Sequence, residues 1–197
     1  MMTKFILAPL LFFCMLPNFV AAASESEVRQ FVDAVTSDII AVVTSKSTTS
    51  QKADRLQNIF QSNSNPPAIA RFVAGRYFRD ASAADQERFV SLFERYMSFF
   101  YADAMQEYSG EELEISNVQD AGKKGFVVVS KVANRQPPLT VNWQVKPSKS
   151  GLKVIDLQVE GVSMLITWRN EFAAIIQNNG GSLAAASDDL QARLAKF

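Results

Sequence analysis

The sequence predicts a single α+β domain, in which helices wrap an antiparallel sheet of about four strands. Apolar residues recur at helical spacing over the first half of the chain, change to a period of two in the segments between Leu113 and Val159, and return to helical spacing from Ser163. Short links separate the alternating segments, which favours an antiparallel meander. No internal repeat or domain-sized linker interrupts the 197 residues, so we expect one domain.

The first 23 residues have the pattern of a secretory leader. Lys4 is the only charged residue before an apolar run, and the small residues Ala21, Ala22 and Ala23 end that run. We therefore predict a signal peptide at residues 1–23, cleaved after Ala23, and a mature domain at 24–197 that is exported to a periplasm.

Two alternatives to a cleaved leader are less favoured by the same segment. Pro9 and Pro17 interrupt the apolar run, which is also short for a membrane-spanning helix of about 20 residues. Cys14 would be the acceptor for a lipid anchor, but Phe12 and Phe13 precede it instead of small residues. We expect neither a transmembrane anchor nor lipidation.

The composition of the mature domain excludes several classes of site. It contains no histidine and no cysteine, so a zinc site, a thiol nucleophile and a histidine-based triad are not expected. Without Lys4 the chain has 19 basic and 20 acidic residues and no long basic run, which gives little support to a nucleic-acid partner.

The helices are predicted in order from their apolar spacing and their boundary residues. Asn63 to Pro67 should break the chain between the second and third helices, and Ser82 should cap the long fourth helix with Asp85 at the capping-box position. Asn178 to Gly181 should end the penultimate helix. The predicted spans are 24–45, 51–61, 68–78, 83 to about 108, 163–176 and 182 to the C-terminus.

The strands are predicted at 113–118, 126–133, 139–145 and 152–159, with the second link placed around Gln136. In the third strand Leu139, Val141, Trp143 and Val145 share one face and polar residues share the other, as in a half-buried strand. The second strand is apolar on both faces from residue 126 to 129, so we expect it to be covered on both sides.

The long helix carries an unusually wide apolar surface. Residues 88–108 contain four Phe, three Tyr and two Met, and on a helical wheel the large apolar side chains spread over roughly twice the arc of about 100° that an amphipathic surface helix uses. One interpretation is a central helix packed on two sides. The other is a cavity wall, because Met suits variable apolar partners and ligand pockets are mostly apolar.

Several short motifs, taken in their order, resemble one known family. They are GRYFR at 75–79, YSG at 108–110, VEGVS at 159–163 and WRNEF at 168–172. Together they resemble the MlaC family, also called the toluene-tolerance auxiliary family, over about residue 24 to the C-terminus. Phe78, Leu152 and Trp168 replace residues that are common in the family, and each replacement keeps an apolar or aromatic side chain.

The resemblance implies a sheet related to the NTF2-like fold and an apolar cavity that holds phospholipid acyl tails. It also implies exchange of lipid with two partners, an inner-membrane ABC transporter bearing an MCE-domain subunit and an outer-membrane lipoprotein complex. A hopanoid-binding branch of the family is an alternative. No cofactor, metal or catalytic residue is expected, and the protein should be a monomer.

The candidate site residues combine the wide arc with the neighbouring motifs and strands. Candidates for tail contact are Tyr77, Phe93, Tyr96, Met97, Phe100, Tyr101, Met105, Tyr108, Val127, Val129, Val141, Trp143, Val162, Met164 and Ile166. Candidates for head-group contact or docking are Arg76, Arg79 and Arg169, since a guanidinium group suits a phosphate.

Two other classes of function remain open from the sequence. An enzyme on an NTF2-like fold would use a carboxylate, and Asp103 with Glu107 or Asp156 with Glu160 are the available pairs. The simpler interpretation places Asp103 and Glu107 in solvent and pairs Asp156 with a basic residue such as Arg169. A chaperone-like binder would share the apolar surface but lack a closed pocket.

Overall fold

The computed structural model describes residues 23–106, 108, 110–133 and 137–197. Residues 1–22 of the predicted leader, Glu107 and Gln136 lie outside the described residues. Within them the helices are α1 Glu25–Val43, α2 Thr49–Asn63, α3 Pro66–Ala74, α4 Arg76–Asp80, α5 Ala83–Ala104, α6 Met164–Asn178 and α7 Leu183–Leu194. The strands are β1 Leu113–Asp120, β2 Phe126–Val132, β3 Leu139–Ser148, β4 Gly151–Val159 and β5 Val162–Ser163. The predicted α+β class is confirmed.

The sheet is an antiparallel meander in the order β1-β2-β3-β4-β5. The four predicted strands are present, and β5 is a two-residue fifth strand that returns through a tight turn with positive φ at Glu160 and Gly161. A bulge lies where Gln144 pairs with Asp156 but Val145 pairs with Val154, so β4 carries one extra residue there. The bulge lies beside the cavity described below.

Side-chain caps start most of the long helices. Ser24 accepts from Glu27 N–H and Thr48 accepts from Gln51 N–H, and in both cases the third residue bonds back to the cap, forming a capping box. The Ser82 hydroxyl accepts from Asp85 N–H at 3.2 Å, as predicted. The Asp85 carboxylate accepts from the Ser82 hydroxyl at 2.6 Å but, unlike Glu27 in α1, does not complete a capping box with the cap backbone N–H.

The third predicted helix differs most from the structure. It begins two residues early, at Pro66, because proline is tolerated in the first turn and Asn65 caps the helix by accepting from Ala68 N–H. It also ends at Gly75, whose φ of +58° and ψ of −122° a helix cannot contain. Residues 76–80 then form the separate helix α4.

The core consists of a helical part and a sheet part. Phe89, Phe93, Phe172 and Leu190 are fully buried between α3, α5, α6 and α7. A second cluster packs α1 against one face of the sheet, with Val28, Val32, Val128, Trp143 and Val145 at its centre. A smaller third cluster joins α1, α2 and α5. The candidate site lies between these clusters.

Only one face of β2 is fully buried. Phe126 and Val128 lie in the sheet core, whereas Val127 and Val129 on the other face are half-buried. Their cross-strand neighbours on β3 are the polar residues Gln144 and Asn142. The expected cover on both sides is therefore only partial on the second face, because polar neighbours, rather than a second apolar layer, flank it.

Candidate functional site

An apolar cavity of about 180 Å³ lies between the inner face of the sheet and helices α1, α2, α5 and α6. It is partly open to solvent. The lining residues are Val35, Ile39, Leu56, Ile59, Phe60, Asn63, Ser64, Ile69, Met97, Ser98, Tyr101, Met105, Trp143, Val154, Ile155, Asp156, Leu157, Leu165 and Trp168.

Helix α5 contributes one wall through a stripe at four-residue spacing. Met97, Tyr101 and Met105 line the cavity, and Met105 is the C-cap of the helix. The same stripe begins with Phe89 and Phe93, which are fully buried in the helical core. Because residues at i and i+4 lie above one another on a helix, a single stripe runs from the packed core into the cavity.

Trp143 of β3 contributes to the wall formed by the sheet. Its indole Nε1 donates to the Ser130 hydroxyl at 3.1 Å, and that hydroxyl donates to the Val141 carbonyl at 2.8 Å. Ser130 is fully buried, so the chain of bonds satisfies the one polar atom of the tryptophan behind the ring.

The polar side chains of the helical wall are satisfied by their own backbones. Asn63 donates to the Ile59 carbonyl at 2.9 Å, and Ser64 donates to the Phe60 carbonyl at 2.6 Å. Ser98 donates to the Glu94 carbonyl at 2.8 Å. One donor of each of these side chains is therefore already used, and the surface that lines the cavity is mainly apolar.

Asp156 has a structural partner within the protein. Its Oδ1 accepts from Leu165 N–H at 3.0 Å, in the first turn of α6. A carboxylate is favoured there by the orphan N–H groups and by the positive end of the helix dipole. The predicted pairing of Asp156 with Arg169 was wrong, because Arg169 instead lies 4.7 Å from the centre of the Phe72 ring.

Tyr101 and Trp168 join α5 to α6 at the cavity. Their ring centres are 5.9 Å apart at an interplanar angle of 65°. Burial raises the pKa of the Tyr101 hydroxyl, and a hydrogen bond with Trp168 opposes part of that rise. The hydroxyl therefore stays protonated at physiological pH and adds no charge to the cavity.

The structure brings four of the predicted tail-contact residues together at the cavity. They are Met97, Tyr101, Met105 and Trp143. Phe93 lies instead in the helical core, with its ring centre 5.1 Å from that of Phe172. Tyr96 packs on the same Phe172 at 6.0 Å.

The remaining predicted residues lie outside the cavity lining. Tyr77 packs against the helical core and Tyr108 donates its hydroxyl to the Glu111 carbonyl. Three are exposed, namely Phe100 at 43%, Val162 at 56% and Ile166 at 48%, and Met164 is half-buried. Val127 and Val129 are on the sheet face opposite Trp143, and Val141 packs in the sheet core.

Sequence reasoning missed most of the α2 and β4 lining. Leu56, Ile59 and Phe60 have helical spacing in the sequence, which marked them as an apolar face without showing what that face meets. The bulge at Ile155 is also invisible to a period-2 pattern. The arginine candidates Arg76, Arg79 and Arg169 are exposed and lie outside the cavity lining.

The described ranges contain no candidate metal site and no candidate membrane-spanning helix. In 23–106, 108, 110–133 and 137–197 no group of His, Cys, Asp and Glu side chains has the geometry of a metal site. In the same ranges no helix combines the length and apolarity needed to cross a membrane.

Comparisons with known proteins agree with the sequence resemblance. The family model described as MlaC protein matches residues 24–192. The toluene tolerance protein ttg2D of Pseudomonas putida is 26% identical over 122 residues, which cover 61% of this chain and 57% of that protein. The intermembrane phospholipid transport system binding protein MlaC of Haemophilus influenzae is 30% identical over 114 residues, 55% of this chain and 53% of that protein. The matches thus span little more than half the length of these relatives.

A solved structure has the same fold. The phospholipid-binding protein from Ralstonia solanacearum, solved in complex with a phospholipid, superposes with a TM-score of 0.71 at 21% sequence identity. The match covers 85% of this chain and 96% of that one. At this identity the comparison shows a shared fold.

Proposed function

Since the chain belongs to the MlaC family, we propose that it is a lipid carrier which holds phospholipid acyl tails in the cavity between the sheet and α5. The observation that carries the proposal is the cavity itself. Its lining is apolar, and the hydroxyl and amide side chains of its helical wall already hydrogen-bond to backbone carbonyls. Such a surface favours hydrocarbon, because each buried CH₂ contributes about 0.8 kcal/mol.

The volume of the cavity sets a condition on this proposal. An apolar cavity of roughly 150 Å³ holds a molecule the size of benzene, and sites for drug-sized ligands have volumes of about 300–1,000 Å³. The 180 Å³ found here is smaller than an acyl tail requires. We infer that the walls formed by α2, α5 and α6 move apart on loading, which enlarges the present, partly open cavity.

The head group of the lipid is expected to remain near solvent. A phosphate buried among Leu56, Ile59 and Leu157 would lose hydration without gaining a cation, which is strongly unfavourable. Selection among phospholipids therefore rests on the tails, which make non-directional contacts. Chain length and head group should be loosely specified.

The proposal assigns no catalytic step to the protein. Of the carboxylates considered from the sequence, Asp103 is exposed and accepts from Gln106 at 2.6 Å, while Asp156 caps α6. Glu160 accepts from Thr140 N–H beside the β4–β5 turn. These roles in local structure support a binding protein over an acid–base enzyme.

We further propose the cellular setting that the family resemblance implied. Residues 1–23 would be a leader cleaved after Ala23, and residues 24–197 would form the lipid-binding domain in the periplasm. There the carrier would exchange lipid with an inner-membrane ABC transporter bearing an MCE-domain subunit and with an outer-membrane lipoprotein complex.

Native mass spectrometry of the protein, purified after expression of the full chain in a Gram-negative host, tests the proposal. We expect a species whose protein mass begins at Ser24 and whose added mass matches one two-tailed phospholipid, identified after extraction. A hopanoid as the added mass would replace the phospholipid in the proposal. A bare protein that also takes up no lipid from vesicles would refute it.

A further inference from the structure

The outer face of α6 begins with exposed apolar side chains. Val162 precedes the helix and is 56% exposed, and Ile166 in the first turn is 48% exposed. Arg169 follows one turn later on the same face as Ile166, because residues three apart are neighbours on a helix. A single exposed apolar side chain is ordinary on a protein surface, so Val162 and Ile166 point to a partner only in combination with the charges described next.

Four arginines lie on α6 and on α3 and α4, the two helices whose junction Arg169 contacts. Arg169 lies over the Phe72 ring at 4.7 Å, Arg76 over the Tyr77 ring at 4.9 Å and Arg71 over the Phe78 ring at 5.6 Å. Arg79 follows in α4. We call these four residues the arginine face.

Two members of the arginine face meet at one point, because the Arg169 guanidinium group lies beside Gly75, the residue that precedes Arg76. The Arg169 Nη2 is 3.6 Å from the position that a Cβ atom would occupy if this glycine carried a side chain. Helix α6 therefore contacts the junction between α3 and α4. Stacking on aromatic rings holds three of the guanidinium groups in place. Arg76 also donates to the Tyr77 hydroxyl at 3.1 Å, and its other N–H groups remain available to an anion.

Acidic neighbours do not neutralise this face. Among the described residues the ion pairs join Arg88 to Asp188, Arg95 to Asp54 and Arg193 to Asp189, and none involves the arginine face. Asp80 lies near Arg76 without an ion-pair contact. Glu171 lies on the opposite side of α6, towards Tyr101. The face is therefore a local excess of positive charge on a chain of net charge zero.

The same turn of α6 connects this surface to the cavity. Leu165 and Trp168 line the cavity, and Ile166 and Arg169 lie next to them in the sequence on the outside of the helix. A partner that contacts the outside of this turn is therefore separated from the cavity only by the width of α6. We expect such contact to affect the same helix that forms this wall of the cavity.

We propose that Val162, Ile166 and the arginine face form a surface that docks directly on an anionic phospholipid bilayer. The combination of exposed apolar side chains and unneutralised arginines fits an interface where apolar groups reach the acyl boundary and guanidinium groups contact lipid phosphates. An acidic protein surface would complement the arginines but leave Val162 and Ile166 unexplained. The proposal rests on the carrier function and adds a bilayer as a direct partner.

Vesicle co-sedimentation tests this docking surface. Protein obtained by expressing the full chain is mixed with vesicles of phosphatidylglycerol and phosphatidylcholine, or of phosphatidylcholine alone. We expect binding to the anionic vesicles that weakens as salt is raised, because exposed charges are screened over about 10 Å at 0.1 M salt. Equal binding to both vesicles, or binding to neither, would overturn the proposal.

Matched variants locate the surface. Arg76→Gln with Arg169→Gln should lower the partition coefficient roughly twentyfold, since each arginine near an anionic surface contributes about fivefold. The control pair Arg55→Gln with Lys149→Gln removes the same charge from exposed positions on α2 and in the β3–β4 turn. Equal losses in the two pairs would show a general charge effect and contradict the assignment.

The apolar part of the surface has its own variant. Ile166→Ser leaves every charge in place and should lower binding to anionic vesicles a few-fold. Circular dichroism verifies that each variant is folded. An unchanged partition for Ile166→Ser would refute the apolar contribution.

Lipid occupancy, measured by native mass spectrometry on the same preparations, separates the two proposals. A protein that carries lipid but does not bind vesicles would refute the docking surface and leave the carrier intact. A protein that binds anionic vesicles but never carries or takes up lipid would refute the carrier.

Discussion

The two halves of α5 carry the same kinds of side chain in different surroundings. In the first half, Phe89 and Phe93 are completely buried among rings of α6 and side chains of α7. In the second half, Tyr101 and Met105 face the cavity. The wide apolar arc predicted one side of the helix for the protein and another for a ligand, whereas the structure divides one stripe along its length.

The difference shows what an amphipathic pattern leaves undetermined. Both halves of α5 carry large apolar side chains, but only the first half packs against helices, α3, α6 and α7, that fill the space around those side chains. Opposite the second half, the twisted sheet and α2 leave a gap, and the bulge in β4 lies at that gap. An apolar stripe therefore specifies burial, and the elements packed against it decide whether burial is by protein or by a ligand.

The largest expected effect comes from the packed half. Phe93→Ala should lower the free energy of unfolding by about 3–5 kcal/mol, because the ring is fully buried and its neighbours cannot fill the space. Met105→Ala, at the half-buried cavity end, should cost well under half of that. Urea denaturation of both variants measures the contrast, and equal costs would remove the distinction between the halves.

A charge in the cavity half should act on lipid retention. Tyr101→Lys or Met97→Lys would place an ammonium group against apolar walls, where an unpaired charge is strongly disfavoured. We expect retained lipid to fall at least tenfold, equivalent to about 1.4 kcal/mol of binding free energy. Native mass spectrometry measures the occupancy.

Tyr101→Phe is the control, since it keeps the ring and should retain lipid. A folded Tyr101→Lys protein with full occupancy would place the tails elsewhere.

The hydrogen bond from Trp143 to Ser130, behind the cavity wall, should affect the stability of the protein but not its retention of lipid. Ser130→Ala removes the acceptor of Trp143 Nε1–H and leaves a buried donor unpaired, at a cost of about 1–3 kcal/mol in the free energy of unfolding. Thermal denaturation gives the cost and lipid extraction gives the occupancy. A loss of lipid without a loss of stability would mean that Ser130 takes part in the site.

The smallest expected effect lies outside both halves, at the start of α1. Hydrogen bonds from the Ser24 backbone and side chain lower the pKa of Glu27, so its contribution to stability is present above its unfolded-state pKa and lost as pH falls through the lower folded value. Glu27→Gln keeps a capping-box partner but cannot titrate. The stability of this variant should change less between pH 5 and pH 3 than that of the parent protein, because the pKa of an ordinary Glu side chain, about 4.3, lies in this range.

Comparison of melting temperatures at the two pH values measures the effect. A pH response identical to that of the parent protein would contradict it. Lipid retention, measured at neutral pH, should be unaffected.

The parts of the fold that were predictable are those set by local chemistry. The cap at Ser82 and the alternation along β3 were predictable because each depends on neighbours within four residues. The break at Gly75 was missed because apolar spacing continues from α3 into α4. A glycine in a helical pattern does not reveal by itself that its φ is positive.

The candidate site was predictable only where one element sufficed. The stripe of α5 gave Met97, Tyr101 and Met105, but the facing walls depend on how α2, β4 and α6 pack in three dimensions. Val127 and Val129 were chosen for their apolarity, and the register of β2 places them on the face away from Trp143. The apolar character of a side chain does not by itself show whether its face of the sheet points towards the helices or away from them.

The apolar cavity has an energetic consequence for the whole molecule. Because the cavity is partly open to solvent, its apolar walls contact water until a ligand covers them. Covering that surface stabilises the folded protein by about 25 cal/mol per Å² of apolar area, so on the proposed function lipid binding should raise the melting temperature. The same free energy opposes release, and any partner that unloads such a carrier must supply it.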